Sequence, residues 1–265
     1  MKLGLSTWCL LHRDVYSAVK TIGDAGFEYI EFWGEAPHAY PGWVDKKRLK
    51  DALSSYKMTI TTHAPFTDLN PGWPFQPVKG AIEETLEQFV DLSDFLGASI
   101  VTFHPGNTYT KVLADQSFTA SVSTFRRMVK AAAGRLAVNL ENQTKGMSVY
   151  DYPVASSLES VQNILKEVEG TQFTLDTGHA HVSGVDPERF ARLSGSKLTE
   201  IHLSDNSGAA DEHLIPGKGT ANLSSLLKRL PGTDVLVCLE LNPFKNTEAE
   251  IIGAAQEMKK TLGRP

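Results

Sequence analysis

Val101-Thr102-Phe103-His104-Pro105-Gly106 decides the fold. A short β-branched and aromatic run ends in a histidine, and a Pro-Gly pair then breaks the chain. Side chains alternate faces along a strand, so Thr102 and His104 share one face while Val101 and Phe103 share the other. The alternation recurs down the sequence. Asn139 and Glu141 oppose Val138 and Leu140, and Thr174 and Asp176 oppose Phe173 and Leu175. Glu200 and His202 oppose Ile201 and Leu203, and Cys238 and Glu240 oppose Val237 and Leu239. The apolar set is expected to pack under helices and the polar set to point into a barrel. Its donor side chains then fall at the C-terminal strand ends, where barrel active sites sit.

Working outward, strand-like runs occur at Lys2–Trp8, Tyr29–Trp33, Thr59–His63, Ser99–His104, Leu136–Glu141, Gln172–Asp176, Leu198–Leu203 and Val235–Glu240. Amphipathic stretches such as Asp45–Tyr56, Val78–Leu96, Phe118–Ala133 and Leu158–Val168 lie between them. Gly26, Gly97, Gly134 and Gly170 each close a helical stretch before the next strand. Eight such units of about 33 residues predict one (β/α)8 TIM barrel domain over residues 1–265. The competing open doubly wound sheet would carry a Gly-rich phosphate loop after the first strand, and Gly4-Leu5-Ser6-Thr7-Trp8 is not one.

Composition narrows the class. Hydrophobic content of 41% and charged content of 22% are those of a soluble globular protein. A net charge of −5 argues against a broad phosphate-binding surface. Cys9 and Cys238 form no C-x-x-C pair and read as reduced core residues, which points to the cytoplasm. No run approaches the ~18–20 apolar residues that span a membrane, and the N-terminus reads as a strand rather than a signal peptide.

Nine N or O donors sit at or just beyond these strand ends: His63, His104, Glu141, Asp176, His179, His202, Asp211, His213 and Glu240. Imidazole with carboxylate, and no thiolate, suits a divalent ion, with zinc first and Mn, Co or Mg as alternatives. Asp176-Thr177-Gly178-His179 brings two donors together on a strand-to-helix turn. Asp211-Glu212-His213 offers two donors on one side of an extended loop, followed by Pro216-Gly217-Lys218-Gly219. Glu141 and Glu240 end apolar strands, where an uncompensated carboxylate is costly and a cation is its natural partner. Glu31 and Glu200 also face inward by parity. Trp8, Trp33, Trp43 and Trp73, with Tyr40, Phe66 and Phe75, enrich the loops at this end. They are read as a stacking surface or lid, with Trp8, Glu31, Trp33, Phe66, Trp73 and Lys218 as candidate substrate contacts. Lys145 and Lys245 join Lys218 as candidate phosphate ligands.

With these residues in place, the chain resembles the xylose isomerase-like TIM-barrel superfamily, which holds sugar isomerases and epimerases together with endonuclease IV. The resemblance rests on His63-Ala-Pro-Phe, Phe103-His104-Pro-Gly, Leu140-Glu141-Asn142, Leu175-Asp176-Thr177-Gly178-His179, Ile201-His202-Leu203 and Asp211-x-His213, in order along nearly the whole chain. The epimerase pattern implies one divalent ion on Glu141, Asp176, His202 and Glu240, with His179 near the substrate. The endonuclease IV pattern implies three zinc ions on all nine donors, Glu141 bridging, acting on abasic DNA. That pattern usually has Cys where Gly178 stands and Arg where Glu212 stands, and a longer segment between His202 and Asp211. The expectation is therefore a sugar or sugar-phosphate isomerase or epimerase carrying one to three ions, with AP-endonuclease activity as the alternative. Proton transfer through an ene-diolate would be carried out by Glu141 and Glu240, with His179 as a further catalytic group. The partner is a small sugar rather than a membrane; oligomeric state is left open.

Overall fold

The structure is a computed structural model and describes residues 1–146 and 151–262. Eight parallel strands close into a barrel: β1 (Lys2–Ser6), β2 (Tyr29–Trp33), β3 (Thr59–His63), β4 (Ile100–Phe103), β5 (Ala137–Glu141), β6 (Thr171–Asp176), β7 (Leu198–Leu203) and β8 (Leu236–Leu239). Each strand pairs with its neighbours in sequence, and β8 pairs with β1 to complete the ring. Around it lie α1 (Val15–Asp24), α2 (Lys46–Ser54), α3 (Val78–Leu96), α4 (Ala114–Ala132), α5 (Leu158–Glu167), α6 (Thr177–Val182), α7 (Pro187–Ser194), α8 (Ser224–Arg229) and α9 (Glu248–Leu262). The expected (β/α)8 barrel is therefore the observed one. None of the described helices is long and apolar enough to cross a membrane.

Strand parity sorts the layers as expected. Val101, Phe103, Val138, Leu140, Phe173, Leu175, Ile201, Leu203, Val237 and Leu239 face outward and join the helices in one core. Phe103, for example, meets Phe125 of α4 with ring centroids 6.0 Å apart. Helix ends follow their chemistry. Asp14, Asp45 and Ser157 cap the N-termini of α1, α2 and α5 with side-chain acceptors. Gly97 terminates α3 at φ +87, a conformation that suits a residue without Cβ.

The barrel interior is filled in tiers. Tyr29, Ile100, Leu236 and Cys238 form an apolar cluster toward the N-terminal end. Gly4 makes room for this plug, since a Cβ there would stand 2.7 Å from the Tyr29 ring. Above it the Glu200 carboxylate accepts hydroxyl protons from Tyr29, Thr61, Thr102 and Thr174. The donors gather at the C-terminal end.

The structure also departs from the sequence reading. β1 stops at Ser6, and Thr7–Leu10 turn into a 3-10 helix that carries Trp8 over the barrel mouth. An antiparallel pair, Asn107–Thr108 with Tyr152–Pro153, rises beyond β4 and β5. Short strand-like pieces in long loops have no periodicity of their own, so this two-stranded pair left no trace in the pattern.

Candidate metal centre

All nine donors converge. They fall into four overlapping groups whose ligand atoms lie within 4.8 Å of one another: His63–Glu141–His202, His104–Glu141–His179, His179–Asp211–His213 and Asp176–His202–Glu240. Strand register brings them there, because Asp176 lies beside His202 on the neighbouring strand. The Glu141 carboxylate is the hub. One oxygen lies 3.0 Å from His63 Nε2 and 3.2 Å from His104 Nε2. The other lies 3.3 Å from His202 Nδ1 and 3.4 Å from His179 Nδ1. Asp211 Oδ2 stands 3.1 Å from His179 Nε2 and 3.0 Å from His213 Nε2. Glu240 Oε2 is 3.6 Å from His202 Nδ1.

The donor set fits divalent metal. Asp176 Oδ2 and Asp211 Oδ1 are buried and have no hydrogen-bond partner among the described residues. A buried carboxylate oxygen left without a donor is unfavourable unless a cation faces it. Several imidazoles are already oriented as ligands. His63 donates Nδ1–H to the Ala64 carbonyl at 2.8 Å, and His179 donates Nδ1–H to the Asn142 carbonyl at 2.8 Å. His213 donates Nδ1–H to the Glu240 carbonyl at 3.1 Å. A carbonyl only accepts, so each of these rings, once neutral, turns its Nε2 lone pair toward the site.

Electrostatics follow from crowding. Burial alone would raise the Glu141 carboxyl, but the imidazoles of His104 and His202 overcome it and hold the group well below its usual range. Burial would lower His63 and His213, yet Glu141 beside the first and Asp211 beside the second push each up to about 9. His179 and His202 are also raised, against burial, by the surrounding carboxylates. His104 is lowered, because burial and the imidazoles of His63 and His179 outweigh Glu141. Burial pushes Glu240 up to about 8, with the Glu31 and Glu141 charges adding to it and His202 and His213 opposing it.

Local backbone chemistry places the two loop clusters. Asp176 caps α6 by accepting the His179 N–H at 2.6 Å, so capping and donation belong to one residue. Gly178 is dictated by close approach: a Cβ there would lie 2.7 Å from Ser204 Oγ and 3.2 Å from Asp211 Oδ1. Asp205 gathers the backbone N–H groups of Asn206, Gly217, Gly219 and Ala221, curling the loop that carries Asp211 and His213. That loop is not extended as its alternating donors implied. His213 adopts φ +48, which lets its ring meet both Asp211 Oδ2 and the Glu240 carbonyl.

Seven of the nine donors line a cavity of about 330 Å³, while Asp176 and His202 are fully buried beside it. Trp8, Trp33 and Phe66 line one part; Asn107, Gln143, Thr144, Asp151 and Pro153 line another. Trp8 packs on His213 with centroids 4.7 Å apart, and Phe66 on His104 at 4.5 Å. Three expected substrate contacts do not line it. Glu31 precedes the end of β2 by two residues and lies fully buried beneath His202. Trp73 packs against Phe75 at 5.7 Å, and Lys218 is exposed on the curled loop. Trp43 is 66% exposed, away from the cavity. Lys245 pairs with Glu212 at 2.9 Å, and Lys145 is exposed. Ser207 and Lys245 hold Glu212 down to about 2. The sequence reading also missed Asn142, whose amide bridges the Asp176 backbone at 2.9 Å on both sides, and Asn107 of the small antiparallel pair. Asn142 was legible as part of Leu140-Glu141-Asn142; Asn107 had no comparable signal.

These features coincide with a known family. Residues 19–261 match the model of the xylose isomerase-like TIM barrel, and the chain belongs to that family. It is 29% identical over 251 residues to an uncharacterized protein of Methanocaldococcus jannaschii, covering 91% of this chain and 83% of that one. It is 24% identical over 245 residues to fructoselysine 3-epimerase of Escherichia coli O157:H7, covering 86% and 85%. Among solved structures, a D-tagatose 3-epimerase-like protein superposes with a TM-score of 0.81 at 24% identity, over 99% of this chain and 96% of that one.

Proposed function

We propose that the protein is a divalent-metal-dependent isomerase or epimerase of a small sugar, with zinc the first candidate metal and Mn, Co or Mg the alternatives. One observation carries the reading: seven of nine clustered N and O donors line a cavity of about 330 Å³, with the other two, Asp176 and His202, fully buried beside them, and that cavity is walled by aromatics and has no Lys or Arg in its described lining. That volume lies within the range of small-molecule sites. Similarity to a fructoselysine 3-epimerase and to a D-tagatose 3-epimerase-like protein supports the same class.

Glu141, Asp176, His202 and Glu240 would hold the principal ion. When bound, it would polarise a sugar carbonyl and its neighbouring hydroxyl and so acidify the adjacent C–H. Glu240 lines the cavity and is the proposed base that removes this proton. Glu141, from β5 on another side of the barrel, and His179 are the groups proposed to return it. The indoles of Trp8 and Trp33 and the ring of Phe66 would bind the sugar face and exclude water.

A second reading has a specific observation in its favour. The His179–Asp211–His213 group is not needed by a four-ligand epimerase site, and a trinuclear phosphodiesterase acting on abasic DNA would use it. The described cavity lining offers no Lys or Arg to grip a phosphate backbone. The deciding experiment offers metal-loaded protein a panel of free and phosphorylated ketoses and aldoses in D2O, and separately an abasic-site duplex. Isomerisation or epimerisation with one deuterium entering carbon per turnover supports the proposal. Strand cleavage with no carbon-bound deuterium in any sugar would replace it by the second reading.

A further inference from the structure

We propose that Glu31 is a positioning residue that fixes which nitrogen of His202 faces the metal donors, and that metal affinity at Asp176–His202–Glu240 depends on it. This rests on the metal reading above. The argument is one of ring orientation. His63, His179 and His213 each tie Nδ1–H to a backbone carbonyl and leave Nε2 free. His202 is reversed. Its Nδ1 faces Glu141 Oε1 at 3.3 Å and Glu240 Oε2 at 3.6 Å, while its Nε2 lies 2.9 Å from Glu31 Oε2. Both His202 and Glu31 are fully buried. Among the described residues no backbone carbonyl bonds to either nitrogen of this ring; a side chain from another strand takes that place.

Glu31 is left free for this task by the tier below. Glu200 is the other buried carboxylate near His202 Nε2, at 3.9 Å. Its Oε1 accepts from Tyr29 and Thr61, and its Oε2 from Thr102 and Thr174. Those hydroxyls occupy Glu200, which argues against a separate cation on Glu31, Glu200 and His202. Besides His202, Glu31 has a contact from the Cys238 thiol, at 3.6 Å. A buried carboxylate with so few donors depends on the imidazole N–H, and the imidazole depends on it for its tautomer. Unlike the carbonyls behind the other rings, Glu31 brings charge, which raises the basicity of the opposite nitrogen as a ligand.

The test compares wild type with Glu31→Gln, Glu31→Ala and Glu200→Gln, each stripped of metal and titrated with Zn(II) against a chromophoric chelator. Ring-nitrogen NMR of the zinc-loaded proteins reports the His202 tautomer. Glu31→Gln keeps an acceptor without charge and should weaken the affected site about tenfold with the tautomer retained. Glu31→Ala should weaken it up to about a hundredfold and lose the single Nε2–H signature. Glu200→Gln should stay within about threefold of wild type, well below the loss expected at Glu31. Wild-type affinity in Glu31→Ala with Nε2–H intact would overturn the proposal, as would an equal loss in Glu200→Gln. If Glu31→Ala does not fold, the near-isosteric Glu31→Gln decides alone, and unchanged affinity there counts against. Failure of wild type to bind zinc would remove the metal reading itself, and is seen before any variant is compared.

Discussion

Glu141→Gln is the sharpest perturbation of the centre. The substitution keeps shape and removes one charge. In the native site that charge is 1% exposed and faces imidazole nitrogens of four histidines between 3.0 and 3.4 Å away. Removing one partner from a buried charged set costs about 3–5 kcal/mol. At about 1.4 kcal/mol per decade, this is roughly two to four decades of affinity for any ion that Glu141 holds. Two of the four donor groups contain Glu141, whereas Asp176–His202–Glu240 and His179–Asp211–His213 do not. The variant should therefore lose or strongly weaken at least one ion per chain while the carboxylates of the other groups remain able to bind. Elemental analysis gives the count, and competition against a chromophoric chelator gives the constants. Wild-type stoichiometry with constants within about threefold would refute the hub role, since a charge shared by four imidazoles cannot be that inconsequential.

Further predictions use other parts of the structure. Glu240→Gln should lower kcat on an active sugar by about 10²–10⁴ with little change in melting temperature, and a rate near wild type would remove it as the base. Zinc binding to metal-free protein at pH 7.5 should release protons, because His63 and His213, raised to about 9, are protonated there and must deprotonate to ligate. Apparent affinity should thus rise with pH toward about 9 and fall below it; calorimetry in buffers of different ionisation enthalpy counts the protons, and none released would contradict the assignment. Phe103→Ala should cost about 3–5 kcal/mol by denaturant unfolding, since a ring 1% exposed leaves a cavity against Phe125. A loss under ~1 kcal/mol would mean that the β4–α4 packing relaxes to fill it.

Much of the architecture was legible because its signals are local. Alternation along Val101–His104 or Phe173–Asp176 is a property of the strand backbone, so it marked both the outward core and the inward donors before any packing was known. Gly97, the left-handed cap of α3, reported the same regularity, whereas the left-handed cap of α4 is Ala133 at φ +49, one residue before Gly134. All nine donors were named because imidazole and carboxylate at barrel strand ends have few other uses. Tertiary structure alone decided the rest. Height in the barrel separates Glu31, buried under His202, from Glu240 in the cavity, and parity gives a side chain's face but not its tier. Loop paths turned Trp73 and Lys218 away while the antiparallel pair beyond β4 and β5 brought Asn107 in, and those paths are fixed by long-range bonds such as those gathered on Asp205. Which nitrogen of each histidine faces the metal donors was likewise absent from the sequence, because it is set by the acceptor on the far side of the ring.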